Sequence, residues 1–480
     1  MRDVVASARS AARWGGDVVA DGLERAHVIR RDRLTETVDL AWPRVITGFA
    51  IMSKNTADLA MVGWVLGSPA VAGLAFAFAY WQLVKFVSIG LAGGTVALVS
   101  QNYGGDEPGR AALVVKQSLW VAAAIAIPLV AGLIGLAEPL IGLLGAAPDA
   151  RQFGVTYLVF TAPALLFEFF NMIASRTYAG VGDTFTPMVM RAGGAVVNVV
   201  LTAWFIFGMG LGVLGAAVGT SISIGLVTVA LSWGMTGRSY FGYGASPVPL
   251  TTGGKHFDRE LSAQLVRISA PLMGRRLGEG IVVFPLLAVA ASFGSVAVAA
   301  YEVGRRVRAL INSFSWGFSI AASTLVGQRL GAGDEAGAAA YGREIIRLSV
   351  VVYLLAAAAV ILARVPIAQI FVEDPAAVSL GAVFVTVAAL SVITMGVDGS
   401  ATGTLRGAGD TRWPFAASLI GLYVFALPLA VLGTVTPLGI AGLYLAMLVE
   451  TIIPAGLNLH RFRSNRWRAI SRSYRPSSAD

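Results

Sequence analysis

In Ala50–Trp64, AIMSKNTADLAMVGW, Lys54 and Asp58 stand four residues apart in a run that is apolar on both sides. On a helix that spacing puts both on one face, so the chemistry open to them is an ion pair or a carboxylate that exchanges a cation. An ionisable group in hydrocarbon is costly enough to be a functional candidate by default. The same test selects Glu279, which follows Arg275 and Arg276 at i+4 and i+3, and Asp398, eight residues before Arg406. Lys85 adds a second cation near the first pair. Glu168, Glu302 and Glu450 rank lower, because positions near helix ends are solvated, and Arg305, Arg306 and Arg308 form a cluster with no assigned place. Asn55, Asn171, Asn198 and Thr202 could offer oxygens to Na⁺ or hydrogen bonds to Asp58, although interhelical packing accounts for each equally well. Among the aromatics, Phe170 is the candidate for a cavity wall, with Phe76, Phe78, Tyr80, Trp81, Phe167 and Phe169 as neighbours in pattern; packing and interfacial belts are their commoner uses.

These residues sit in a chain built for lipid. Of 480 residues, 56% are hydrophobic and 13% charged, and the mean hydropathy is +0.73; soluble domains carry roughly a quarter charged residues. Apolar windows of about 20 residues, enough for a core roughly 30 Å thick, recur near 40–66, 70–98, 113–137, 152–175, 186–208 and 212–235, then near 262–290, 296–324, 342–365, 378–403, 413–434 and 438–460. Asp58 falls about 22 Å along the first helix from Pro43, at about 1.5 Å per residue, in one half of the membrane. Arginine and lysine gather in both tails and in alternate loops, whereas the opposite side keeps only Arg151 and Arg364. The expectation is a multi-pass protein of the cell membrane with both termini cytoplasmic. The seven arginines within the first 35 residues precede no compact apolar stretch with a cleavage site, so they read as a tail and not as a signal peptide. The net charge of +9 is attributed to lipid headgroups and not to nucleic acid.

Several chemistries find no support. The chain has no cysteine and only three scattered histidines, and neither a GxxxxGK[ST] loop nor an HExxH motif is present. No catalytic residues, cofactor or metal centre is expected; a Na⁺ near Asp58 is the one ion left open.

The organising feature is a repeat. LVSQNYGG (98–105) matches LVGQRLGA (325–332), YAGVGDTFTP (178–187) matches LRGAGDTRWP (405–414), GVLGA (212–216) matches GIAGL (439–443), and GSPAVAG (67–73) matches GSVAVAA (294–300), all offset by 227 residues. Four pairs at one offset make the second half a copy of the first in the same membrane orientation. The expected division is a basic cytoplasmic tail over 1–39, an N-lobe over 40–235, a cytoplasmic linker over 236–261, a C-lobe over 262–460 and a second basic tail over 461–480. The repeated Gly-Asp-Thr loops read as helix starts, with Asp183 or Thr184 capping and Pro187 in the first turn.

Pro43, Asp58, Val62–Gly63, GSPAVAGLA, the two LVxQ segments and the two GDT loops together resemble the multidrug and toxic-compound extrusion (MATE) transporters of the MOP flippase superfamily, over about 40–460. The resemblance implies an all-α fold of twelve transmembrane helices in two six-helix lobes related by pseudo-two-fold symmetry. It also implies export of organic solutes, amphipathic or cationic, by alternating access against inward H⁺ or Na⁺, by a monomer that is not an enzyme. Its coupling-ion residues would be Asp58, Asn55, Asn198, Thr202 and Glu279, and its substrate-binding residues Lys54, Asn171, Asp398 and Phe170. The branch that uses this aspartate has a second one in NxxLD, where the present chain reads NVVLT and places Thr202. Lys54, Lys85 and Arg275 keep open two other transport readings: a lipid-linked oligosaccharide flippase and an exporter of organic anions. An integral-membrane enzyme lacks a catalytic pair.

Overall fold

The computed structural model describes residues 17–144, 147–239, 245–251, 253–371 and 374–474. The outer part of the N-terminal tail (1–16), the end of the C-terminal tail (475–480) and pieces of the linker (240–244 and 252) lie outside the described residues. Ten helices are long and apolar enough to cross a membrane. The first, Arg31–Gly104, turns at Gly67 (φ 74°, ψ −168°) and so forms two spans. Arg259–Ile281 and Val283–Ser292 supply one more, less apolar because it carries Arg275, Arg276 and Glu279. The total is twelve spans among the described residues, six in each half.

Local sequence explains most of the boundaries. Pro108, Pro148 and Pro375 open their helices, where the missing N–H costs nothing. Asp258, Asp334 and Asp374 cap the helices that follow them, accepting from Leu261, Gly337 and Ala377 backbone N–H groups at 3.0, 2.7 and 2.8 Å. In the first GDT loop, Asp183 Oδ1 accepts from the backbone N–H of Thr186 at 2.9 Å. In the second, Asp410 takes a backbone hydrogen bond from the equivalent Trp413 and also pairs with Arg461 at 2.7 Å. The first span starts at Arg31, upstream of the expected residue 40. Ala137–Leu143 and Arg364–Phe371, read from sequence as loop, are short helices, too short to cross.

The repeat is written into the backbone. Gly67 and Gly294 (φ 74° and 96°), Asp106 and Gly333 (58° and 82°), Gly182 and Gly409 (97° and 82°), and Gly212 and Gly439 (55° and 54°) are left-handed pairs, each 227 residues apart. A conformation that L side chains avoid recurs at equivalent turns, mostly on glycine.

The halves meet at the repeated motifs. Gln101 Nε2 donates to the Gly407 carbonyl at 2.6 Å, and Gln328 Nε2 to the Gly180 carbonyl at 2.9 Å. Gln101 and Gln328 are repeat equivalents, as are Gly180 and Gly407, so one contact is made twice across the pseudo-two-fold axis. One turn on, the backbones nearly touch. A Cβ at Gly104 would lie 2.2 Å from the Gln328 carbonyl oxygen, and one at Gly331 1.9 Å from that of Gln101. The Q-x-x-G spacing therefore joins a donor and a gap on one helix face. Further bonds between the halves, Thr324 Oγ1 to the Ala179 carbonyl (2.9 Å) and Ser269 Oγ to the Leu91 carbonyl (3.1 Å), lie in the same half of the membrane, nearer the termini. Among the described residues, no hydrogen bond or ion pair joins the lobes at the other end. The bundle is shut beside the termini and parted opposite them.

Because the natural chain has no cysteine, closure can be read with one introduced thiol. A cysteine at buried Ser100, whose side chain faces Gly327 of the other half, should resist a soluble maleimide in the parent and become labelled with Gly104→Ala or Gly331→Ala. Unchanged protection would show that the close approach does not hold this side shut.

Candidate functional site

Three clusters of buried charge lie between the closed side and the parted side. In the N-lobe, Asp58 is completely buried, and Lys54 Nζ lies 3.2 Å from its Oδ2. Thr220 Oγ1 stands 3.5 Å from the same oxygen. With the Asn198 amide turned so that both its ends are satisfied, Nδ2 donates to Asp58 Oδ1 at 2.9 Å, while its oxygen accepts from the Thr220 N–H (3.2 Å) and Ser223 Oγ (3.3 Å). Thr202 is buried beside this group, its hydroxyl within reach of the Asp58 carboxylate. Asn55 is on the rim and makes no hydrogen bond there, so the expected partnership with Asp58 passes to Asn198 and Thr220. Three helices thus converge on one carboxylate: the first, fifth and sixth spans.

Beside it lies a second centre that sequence reading undervalued. Glu168, expected to be solvated, is buried at 3% exposure and bracketed by Arg191 at 2.9 Å and Lys85 at 3.4 Å. Lys85 does not reach for the interface; its ammonium lies over the Trp81 ring, 5.1 Å from the centroid. Lys54, Lys85, Glu168, Asn171 and Arg191 line a cavity of about 80 Å³. Asn171 donates to the Ile224 carbonyl at 3.2 Å and leaves its oxygen unpartnered. Phe170, read as a cavity wall, packs against the N-lobe core and lines neither this cavity nor the central cleft.

The C-lobe centre is a chain of ion pairs. Arg275 reaches Glu279 at 2.8 Å and Asp398 at 2.5 Å and donates to Thr402 Oγ1 at 2.7 Å. Arg276 takes the other Glu279 oxygen at 2.8 Å, as the i+3 spacing implied. Asn458 Nδ2 donates to Asp398 Oδ1 at 2.7 Å. Glu450 pairs with Arg308, and Glu302 with Arg305 at 2.8 Å, which gives part of the arginine cluster its place.

Between the lobes is a cleft of about 540 Å³. Its lining holds seven arginines (44, 176, 275, 276, 305, 308 and 406) and three carboxylates, those of Glu279, Asp398 and Glu450. Gln82 lines both this cleft and the N-lobe cavity, so the two spaces adjoin. The cationic solute implied by the resemblance thus faces a strongly cationic wall. No sequence signal separated Thr220, Arg44 or Arg176 from ordinary helix residues; for Glu168, its position far inside a long apolar run was the available clue.

A two-lobed bundle of crossing helices, shut on one side around a charged cleft between symmetric halves, is the build of a membrane carrier. Residues 43–204 and 271–432 match the MatE family model, and the chain belongs to that family of transporters. It is 28% identical over 447 residues to a probable multidrug resistance protein NorM of Bradyrhizobium diazoefficiens, covering 90% of this chain and 93% of the relative. It is 26% identical over 413 residues to the multidrug resistance protein PmpM of Pseudomonas aeruginosa, covering 83% of each. Its fold superposes on an outward-facing MATE transporter of the MOP superfamily with a TM-score of 0.83 at 20% identity, over 91% of this chain and 96% of that one.

Removing one partner of a buried pair costs about 3–5 kcal/mol, because the other charge is stranded. Glu168→Gln strands two cations, whereas the Glu279 side chain is 27% exposed and water can replace it. Glu168→Gln should therefore lower the thermal midpoint of the purified protein more than Glu279→Gln does; the reverse order would contradict the burial argument.

Proposed function

We propose that this protein is a proton-coupled exporter of organic solutes, working as a monomer by alternating access across the cell membrane, with both termini in the cytoplasm. In that orientation the crossed glutamine contacts close the cytoplasmic side and the central cleft opens outward. The multidrug resistance names of the relatives support export. The observation that carries coupling is the fully buried Asp58 with Lys54 at 3.2 Å.

A proton suits this seat better than Na⁺. Sodium needs several oxygens at once, but one side of Asp58 already faces an ammonium and the other an amide N–H. The protein's own cation fills the place Na⁺ would take, whereas a proton needs a single carboxylate oxygen. Protonation would neutralise Asp58 and release the charge of Lys54 into the small cavity it shares with Lys85 and Glu168. That change of field next to Gln82 is how an ion entering the N-lobe would be felt in the solute cleft. Glu279 and Asp398, held by arginines, serve in this scheme as fixed structure for the C-lobe, and Thr202 as a hydroxyl that supports the charged form of Asp58.

Proteoliposomes with separately imposed gradients test this reading. A pH gradient should drive solute flux, a Na⁺ gradient alone should not, and Asp58→Asn should cut the pH-driven flux at least tenfold. Coupled flux that survives in Asp58→Asn would remove Asp58 from the coupling step.

A further inference from the structure

We infer that the central cleft selects an anion: an organic molecule bearing a carboxylate, phosphate or sulfonate, seated between Arg176 of the fourth span and Arg406 of the tenth, with Arg44 of the first span beside them. The inference rests on the export reading for what the cleft does and adds the chemistry it accepts.

The charges that line the cleft do not balance. Each of its three carboxylates is taken: Glu279 by Arg275 and Arg276, Asp398 by Arg275, and Glu450 by Arg308. Arg305 finds Glu302. Arg44, Arg176 and Arg406 have no carboxylate within ion-pair distance among the described residues. Arg176 and Arg406 are each only 9% exposed. The guanidinium of Arg406 is held by neutral oxygens, the Ser319 carbonyl at 2.8 Å and Ser323 Oγ at 3.2 Å. These arginines feel one another: Arg176 lies in the fields of Arg44, Arg406, Arg191 and Arg276. Glu168 also acts on Arg44, but Lys85 and Arg191 already bracket that carboxylate.

Like charges gathered under low dielectric repel, and a negative group placed among them relieves every pair at once. Guanidinium forks match the planar oxygens of carboxylates and phosphates better than any other side chain does. A cationic solute would add charge of the same sign and would have to break existing ion pairs to find a carboxylate. Trp316 provides an apolar surface for the organic part; its ring already lies under Arg44 at 5.1 Å and Arg276 at 5.9 Å from the centroid.

The position gives the anion a second effect. Arg176 stands one turn before Gly180 and Arg406 immediately before Gly407, the two carbonyls that accept the crossed glutamine bonds. One arginine comes from each lobe. A bound anion would therefore tie the lobes together directly above the closed side, in place of the repulsion that faces them when it is absent.

The test is equilibrium binding to the full-length protein in phosphatidylcholine nanodiscs, with fluorescein as the anionic probe and ethidium as the cationic one. Fluorescein anisotropy should saturate. Arg176→Gln and Arg406→Gln should each weaken it at least tenfold, and Arg406→Lys should weaken it less, since the charge stays and the fork is lost. Arg44→Gln, at a half-buried residue whose loss threatens folding least, should weaken it as well. Saturable ethidium binding without fluorescein binding, or equal fluorescein binding by every variant, would overturn the inference. Both sources of the anion uphold it: phosphatidic acid in the nanodisc displaces the probe if the natural ligand is a lipid headgroup, and leaves it bound if the ligand is a soluble anion. Fluorescein binding should persist in Asp58→Asn. Intact binding without pH-driven flux would thus fail the coupling scheme alone, and pH-driven export of ethidium without fluorescein binding would fail the anion alone.

Discussion

The molecule hangs on one contact made twice. Gln101 and Gln328 reach across the interface to the carbonyls of Gly407 and Gly180, and Gly104 and Gly331 allow the backbones to come that close. Each bond is worth about 1 kcal/mol net, a strength suited to a contact that must hold and then let go. Everything else is placed relative to it. The two lobes share this floor, the cleft rises above it, and Arg176 and Arg406 stand at its edge. A carrier needs a closed side that is specific yet marginal, and hydrogen bonds to glycine carbonyls supply both qualities without burying a charge.

Charges buried elsewhere are treated differently in the two halves. The N-lobe holds its carboxylates in small groups, Asp58 with Lys54 and Glu168 with Arg191 and Lys85, whose members come from several helices. The C-lobe uses arginine in longer networks, with Arg275 spanning two carboxylates on two helices. A lysine–aspartate pair has one dominant partner on each side and is easily reset by a single proton. A guanidinium shared between two acids loses only part of its support when either one changes. The halves thus share a backbone and differ in what that backbone can switch.

Much of this was legible before any coordinates. The apolar windows are long and the twelve spans follow from them, apart from the short helices Ala137–Leu143 and Arg364–Phe371, whose length gives no periodicity to read. The repeat offset was visible because glycine-bearing turns tolerate little substitution. Asp58, Lys54 and Glu279 stood out because charge is conspicuous in an apolar run, and helical spacing alone implied their near neighbours. Partners from distant segments did not stand out. Thr220, 162 residues from Asp58, is one threonine among many until packing brings its helix alongside. Asn55 lines the cavity beside Lys54 yet makes no hydrogen bond to Asp58, because nearness in sequence does not fix the face of a helix a side chain will share. Nothing in the sequence set Arg44 and Arg176 apart, since only the fold reveals that no acid among the described residues comes to meet them.

The crossed contact also bears on how such a chain could arise. A surface that meets its own copy through the same residues on both sides is isologous, the pattern of a two-fold homodimer. Here both copies lie on one polypeptide, yet glutamine still meets the opposite glycine as it would in two separate subunits. Once the halves were joined, the charges around Asp58 and Arg275 were free to diverge, because neither lobe had to complement itself any longer. The floor was not free in the same way: a change at one glutamine now spoils only one of two bonds, so the tether is a structure with a spare.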